Sequence, residues 1–141
     1  LLQSALNHFM QNKYGKVIFT SSITGTIVSA SGHAHYAATK SGLMGLVKTA
    51  AIELSQYNIN INAIVPGNVM SDGMKLERGD EYIKSQSKSI PLGRLASTDE
   101  IGKLVSFLAS DEASYITGQG ITIDGGQTIP ENQDEVFHPK S

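Results

Sequence analysis

Three side chains in the first third of the chain have the types and spacing of an acid/base site. Tyr36 and Lys40 stand four positions apart in a segment whose apolar residues recur at helical spacing, and residues i and i+4 project from the same face of a helix. Ser22 directly follows a short apolar run that is typical of a strand. The sequence therefore predicts a tyrosine beside a lysine, with a serine hydroxyl reaching them from a strand end.

Other polar residues nearby compete with this interpretation. Ser21 is the alternative serine, and a lone tyrosine at a helix start is more often an ordinary amphipathic residue, so the site depends on all three residues occurring together. His33 and His35 suggest a metal pair or a general base. No Asp, Glu or Cys joins them at ligand spacing, so we interpret them as a solvated loop histidine and a helix-entry histidine, and we expect no metal site.

The elements that must position these residues alternate between helix and strand. Apolar periodicity predicts helices over residues 1–12 and 35–56, and a capping-box pattern at Ser97–Glu100 starts a third. Apolar runs bounded by turn residues predict strands over 16–21, 59–65 and 120–125, and the segment 22–34 is predicted to be a loop. Long helical crossovers imply a parallel sheet with helices on both faces, an α/β fold. Its first strand is apolar with an unpaired edge, which a further segment or another chain should cover.

Residues 68–95 are predicted to form a lid or insertion. Lys75, Glu77, Arg78 and Glu81 indicate a polar helical excursion, and residues 90–95 an extended return. The acidic residues of this region are interpreted as a solvated face rather than as paired catalytic carboxylates, and Arg94 as a structural residue that pairs with a nearby acid. The tail from 131 to 141, polar and irregular, lies outside the unit formed by residues 1–130.

Composition excludes several classes of protein. The 141 residues, 40% hydrophobic and 17% charged, fit one globular unit. The net charge is -2 and the basic residues are scattered, so nucleic acid is not an expected partner. There is no cysteine, which excludes disulfides and thiolate metal sites, and no apolar run is long enough for a membrane span. We expect a cytoplasmic protein.

Seven short motifs together resemble the short-chain dehydrogenase/reductase family, in the order and spacing of its members. The motifs are Ser21-Ser22-Ile-Thr-Gly25, Tyr36-x-x-x-Lys40, Asn62-Ala-Ile-Val-Pro66-Gly67-Asn-Val69, Pro91-Leu-Gly-Arg94, Phe107-Leu-Ala-Ser-Asp111, Tyr115-Ile-Thr-Gly118 and Asp124-Gly-Gly126. Within the family they are most similar to 3-oxoacyl reductases and UcpA-like oxidoreductases. The resemblance implies the C-terminal half of a doubly wound, Rossmann-like sheet.

The resemblance also implies an activity and a set of site residues. It implies an NAD- or NADP-dependent interconversion of a secondary alcohol and a ketone, with Ser22, Tyr36 and Lys40 catalytic. Tyr36 and Lys40 would also bind the cofactor, together with Pro66, Gly67, Val69 and Ser71. A phenol that acts as a base near pH 7 needs its anion stabilised by roughly 4 kcal/mol. A cation about 4 Å away supplies on the order of 4 kcal/mol at an effective dielectric of about 20, so Lys40 and an oxidised nicotinamide suffice.

The Gly-rich turn that cradles the cofactor pyrophosphate in relatives has no counterpart here. The dinucleotide-binding fingerprint Gly-x-Gly-x-x-Gly follows a strand. Gly118-Gln-Gly120 lacks the third glycine of this fingerprint and precedes a strand. We therefore expect the chain to be a fragment that is inactive alone and binds no NADH. An alternative is an inactive assembly module, because relatives form dimers or tetramers through the helices predicted here at 1–12 and 35–56. A serine hydrolase is disfavoured, since no Gly-x-Ser-x-Gly is present.

Overall fold

The computed structural model describes residues 2–131 and residue 136, with the backbone alone at positions 75 and 77. The helices are α1 (Leu2–Asn12), the single turn α2 (Ile23–Thr26), α3 (Ala34–Leu54), α4 (Asp72–Lys88) and α5 (Thr98–Ala109). The strands are β1 (Gly15–Thr20), β2 (Ile59–Pro66), β3 (Val69–Met70), β4 (Ala96–Ser97) and β5 (Gly120–Ile123). The predicted tail at 131–141 falls almost entirely outside the described residues. No helix in the described part of the chain is long and apolar enough to cross a membrane.

The main sheet has three parallel strands in the order β1-β2-β5. Along the first pair, Gly15 lies opposite Ile59 and Thr20 opposite Ile64, so both strands end at the same edge of the sheet. The prediction of a parallel three-stranded sheet is therefore confirmed. A second, two-stranded parallel ladder joins β3 to β4, and the sequence pattern did not predict it.

Helices cover both faces of this sheet, as predicted. Alternate residues of β2 point to opposite faces, and they fall into two separate apolar clusters. On one face α3 and α1 pack against Ile59, Ile61 and Ala63. On the other face α5 packs against Ile64 through the fully buried Leu108. The prediction that the apolar run of β1 is covered on both faces is also confirmed, because Val17 and Phe19 pack against the first cluster and Ile18 against the second. Burial of each large side chain contributes about 1.5–3 kcal/mol.

Two sequence predictions require correction. The segment 22–34 is not wholly a loop, because it contains α2 and an isolated parallel bridge between Thr24 and Val28. The extended return predicted at 90–95 is wrong: residues 90–93 form a tight turn in which the Gly93 N–H donates to the Ile90 carbonyl oxygen at 2.7 Å. Pro91 and Gly93 occupy the second and fourth positions of that turn, where Pro and Gly are favoured. The polar helix predicted in the lid is present as α4, kinked at Gly79.

Arg94 is structural, as predicted, and pairs with Glu100 at the start of α5. The Glu100 carboxylate accepts two hydrogen bonds from the Arg94 guanidinium, at 2.8 and 2.7 Å, and one from the Ser97 backbone N–H at 2.8 Å. The guanidinium and, second, the Ser97 N–H lower the pKa of Glu100 from 4.5 to about 2. Because the pKa in the folded state is depressed, this stabilisation is present above about pH 4.5 and is lost as the pH falls toward about 2.

We therefore expect Glu100→Gln to lower the melting temperature at about pH 7 and to approach the wild-type value as the pH falls toward about 2. Gln keeps an acceptor for the Ser97 N–H, so the difference between the two proteins reports the loss of the charge. Thermal denaturation across this pH range measures it, with Asp99→Asn, which removes an exposed ion pair to Lys103, as the control. A difference that did not change with pH would contradict the assignment.

Candidate active site

Tyr36 and Lys40 lie near the start of α3, and Lys40 contacts the end of β1, two residues before Ser22. The Lys40 Nζ donates to the Thr20 carbonyl oxygen at 2.8 Å, which ties the lysine to the last residue of β1. The same Nζ lies 5.6 Å from the centroid of the Tyr36 ring. Tyr36 is in the first turn of α3 and is 38% exposed, so it is open to a ligand. The structure thus places the lysine between the strand end that precedes Ser22 and the tyrosine.

The two neighbouring serines have different surroundings. Ser21 is 3% exposed, and its Oγ donates to the Lys40 carbonyl oxygen at 2.9 Å, so its hydroxyl joins β1 to α3. Ser22 is half-buried, and its Oγ accepts from the Thr24 N–H at 3.1 Å as the N-cap of α2. Its hydroxyl proton can still be donated to another group. The Ser21 hydroxyl is thus engaged in joining β1 to α3, whereas the Ser22 Oγ is engaged as an acceptor that caps α2.

Gly25 holds the segment after β1, residues 21–28, which we call the serine loop, against α3. Its φ is +98°, and a Cβ at this position would lie 2.5 Å from the Ala37 carbonyl oxygen and 2.8 Å from the Ala37 Cα. The Gly25 carbonyl oxygen also accepts a hydrogen bond from the Ser41 Oγ. The small residues in the first half of α3 therefore admit the backbone of this loop. Gly42 and Gly45 do not take part, since a Cβ there would meet nothing within 4 Å.

Gly25→Ala is expected to destabilise the fold by about 2–4 kcal/mol, because it adds both a backbone clash and a left-handed strain. Gly32→Ala is the matched control: its φ is also positive, at +79°, but a Cβ there would meet nothing within 4 Å. Denaturant unfolding of both variants separates the clash from the strain. Equal losses in the two variants would mean that the contact with Ala37 contributes nothing.

The turn after β2 carries the other predicted binding residues. Pro66 is the last residue of β2, and the Gly67 N–H donates to the Ile123 carbonyl oxygen at 3.0 Å. Val69 belongs to β3, so its backbone position is set by the β3–β4 ladder. The Ser71 Oγ accepts from the Met74 N–H at 3.2 Å as the N-cap of α4. Because β1 and β2 are adjacent parallel strands, this turn and the serine loop lie at the same edge of the sheet.

Several residues around this edge were not predicted to be site residues, although Asp124 and Asn68 stand in two of the motifs. Asp124 closes the turn after β5, since its carboxylate accepts from the Gly126 N–H and from both the N–H and the Oγ1 of Thr128, at 2.7–2.9 Å. Asn68, Gln86 and Gln127 form a hydrogen-bonded junction beside it. No sequence signal indicated that the two glutamines converge on one asparagine.

The two histidines are exposed, as predicted, and His33 also contacts the site. Its ring meets the Tyr36 ring edge-on, with centroids 6.5 Å apart, and its Nδ1 lies 3.0 Å from the Ser31 carbonyl oxygen. Within residues 2–131 and 136, no three His, Asp or Glu side chains are grouped so that they could hold a metal ion. A cleft of about 220 Å³ lies between Ile23, Val28 and the residues after β5.

Comparisons with known proteins agree on one family. A family model described as enoyl-(acyl carrier protein) reductase matches residues 1–128. Oxidoreductase UcpA of Escherichia coli O157:H7 is 40% identical over 136 residues, which cover 92% of this chain and 52% of the relative. The 3-oxoacyl-[acyl-carrier-protein] reductase FabG of Rickettsia felis is 40% identical over 129 residues, covering 92% and 53%.

A solved structure extends the comparison to the fold. The gluconate 5-dehydrogenase from Burkholderia cenocepacia J2315, in complex with NADP and tartrate, superposes with a TM-score of 0.82 at 28% identity. The superposition covers 90% of this chain and 50% of that one. The chain thus spans about half the length of the relatives it matches.

Proposed function

The chain belongs to the short-chain dehydrogenase/reductase family, and we propose that the whole protein interconverts a secondary alcohol and a ketone with NAD or NADP. One observation carries the proposal. The Lys40 Nζ donates to the Thr20 carbonyl oxygen at the end of β1, at 2.8 Å, and lies 5.6 Å from the Tyr36 ring centroid. Thr20 precedes Ser22 by two residues. This combination supplies a proton carrier, a cation that stabilises its anion, and a hydrogen-bond donor.

In the proposed mechanism, the Ser22 hydroxyl donates a hydrogen bond to the substrate oxygen and holds it next to Tyr36. The Tyr36 phenolate takes the proton of the alcohol during oxidation, and the resulting Tyr36 phenol returns that proton during reduction. Lys40 stabilises the phenolate: a cation about 4 to 6 Å from an anion contributes on the order of 3–4 kcal/mol at an effective dielectric of about 20. A bound nicotinamide supplies the acceptor or donor of the hydride.

The residues at this edge suit such a cofactor. Ligands of open α/β sheets bind outside the carboxyl ends of the strands, where β1 and β2 deliver the serine loop and the turn at Pro66–Val69. We propose that Tyr36 and Lys40 hold the nicotinamide ribose, and that the backbone of Val69 holds the carboxamide. Pro66 and Gly67 would shape that turn, and the Ser71 hydroxyl would donate a hydrogen bond to the cofactor. Either NAD or NADP is proposed as the cofactor. Residues 1–130 would form the catalytic part of the whole protein.

The substrate is proposed to enter beside Ser22. We assign it to the cleft of about 220 Å³ whose walls include Ile23, the residue after Ser22, together with Val28 and Thr128. A mixture of apolar and polar walls suits a small alcohol or ketone. The test is a panel of secondary alcohols given to the whole protein with NAD⁺ or NADP⁺, followed by the absorbance of the reduced nucleotide. Alcohol-dependent reduction is expected. Nucleotide binding without turnover of any alcohol or ketone would contradict the proposed reaction.

An assembly role remains the second candidate, favoured by the exposed face of α3. Gly42 and Gly45 leave open space on this helix, and Leu46 and Ile52 are 45% and 78% exposed. Small residues flanked by exposed apolar ones allow close packing of a second helix. We propose that α1 and α3 pair with those of a second copy in a cytoplasmic homodimer or homotetramer. Oligomerisation without any turnover would favour the assembly role over the enzyme.

A further inference from the structure

Asn68 joins three separate segments around the turn between β2 and β3. Its backbone N–H donates to the Gln127 Oε1 at 3.1 Å, and its side-chain Nδ2 donates to the Gln86 Oε1 at 2.7 Å. Its carbonyl oxygen accepts from the Ala96 N–H at 3.0 Å. These partners lie after β5, in α4 and in β4, respectively, so one residue links the turn to the lid and to the end of the sheet.

On the side of β5 the junction is anchored in a hydrogen-bonded turn. The Gln127 N–H donates to the Asp124 carbonyl oxygen at 3.1 Å, and the Asp124 carboxylate closes the same turn. The Gln127 amide packs directly on the turn after β2, since a Cβ at Gly67 would lie 2.7 Å from its Oε1. A glycine at position 67 is therefore what lets Gln127 reach the Asn68 N–H.

On the side of the lid the attachment is weaker. None of the described side chains of α4 is buried, so this helix is held by little apolar packing and is a segment of low local stability. Gln86 is half-buried in the last turn of α4 and reaches Asn68 directly. The bond between Gln86 and Asn68 is therefore a direct polar link between the lid and the turn that precedes Val69.

We infer that Gln86 and Gln127 are positioning residues that fix Asn68 and, with it, the backbone of Val69. The lid helix α4 and the turn at Pro66–Val69 therefore become ordered together. This inference rests on the proposed function, in which that turn binds the nicotinamide carboxamide. Coupling between two sites is reciprocal: a lid that fixes the turn increases cofactor affinity, and a cofactor that fixes the turn stabilises the lid. Gln86 thus affects cofactor binding although it is placed on the lid.

The first test measures the dissociation constants of NADH and NADPH by fluorescence titration of the whole protein, without turnover. Gln86→Met keeps the side-chain length and removes the acceptor, and it is expected to weaken binding of the accepted nucleotide about 3- to 10-fold. Gln86→Glu keeps an acceptor for the Asn68 Nδ2 and is expected to restore binding. Ser85→Ala, at an exposed neighbouring position on α4, should bind as the wild type does.

The second test is hydrogen exchange in the whole protein without nucleotide, which probes the junction alone. Gln86→Met is expected to speed exchange of the amides at 68–70, and Gln86→Glu is not. If the wild type binds NADH or NADPH while Gln86→Met leaves both affinity and exchange unchanged, the inference is overturned and the proposed function stands. If the wild type binds neither nucleotide, the proposed function fails, and this inference fails with it.

Discussion

Replacing Tyr36 by Phe in the whole protein should lower kcat/KM for alcohol oxidation about 10²- to 10⁴-fold, the range typical of losing a positioned proton carrier. The substitution removes only the hydroxyl. The ring, with its edge-on contact to His33 and its position 5.6 Å from the Lys40 Nζ, is retained. Steady-state kinetics with a substrate identified in the alcohol panel measure the loss, which should appear mainly in kcat.

Tyr115→Phe is the matched control for this variant. Tyr115 is fully exposed and lies beyond α5, so loss of its hydroxyl should leave kcat/KM unchanged. Melting temperatures of both variants should equal that of the wild type, which separates a chemical effect from misfolding. Near wild-type turnover by Tyr36→Phe would show that another group moves the proton.

Lys40→Met is expected to lower kcat about 10- to 10³-fold and to raise the KM for the nucleotide. The charge that stabilises the phenolate is lost, and a cation about 4 to 6 Å from an anion is worth on the order of 3–4 kcal/mol at an effective dielectric of about 20. The variant also loses the hydrogen bond to the Thr20 carbonyl oxygen, so we expect a stability loss of about 1 kcal/mol. Kinetics together with denaturant unfolding separate the two effects.

Two other lysine variants define the effect of position 40. Lys48→Met removes an exposed cation two turns further along α3 and should change neither kcat nor the nucleotide KM. Lys40→Arg keeps the charge but changes its shape, and it should retain more activity than Lys40→Met. A loss of kcat as large in Lys48→Met as in Lys40→Met would mean that the general charge of the helix, not the position of Lys40, matters.

Local patterns predicted the parts of the site that lie within one element or one turn. The spacing of Tyr36 and Lys40 fixes a shared helix face whatever the rest of the fold does, and the structure places the two side chains together. The apolar run before Ser22 needed both faces covered, and α3 and α5 cover them. The capping box at Ser97–Glu100 likewise depends only on neighbours, and it is present.

Contacts between distant segments were not readable from the sequence. Nothing in the pattern around Gly25 specifies that its backbone rests on Ala37, because this depends on how α2 meets α3. The convergence of Gln86 and Gln127 on Asn68 depends on three chain segments. The short ladder of β3 and β4 has two residues in each strand, too few for a periodic signal. The turn at 90–93 was a different error, since Pro91 and Gly93 indicated it.

The central claim is that Tyr36 and Lys40 act as one unit, and the double variant Tyr36→Phe/Lys40→Met tests it most directly. The measurement is kcat at saturating nucleotide and substrate for the wild type, both single variants and the double variant. If Lys40 acts on the chemical step through the Tyr36 hydroxyl, its removal costs little more once that hydroxyl is gone. We predict that kcat of the double variant lies within about threefold of that of Tyr36→Phe. Losses that multiply would contradict the account and show that the two residues act independently.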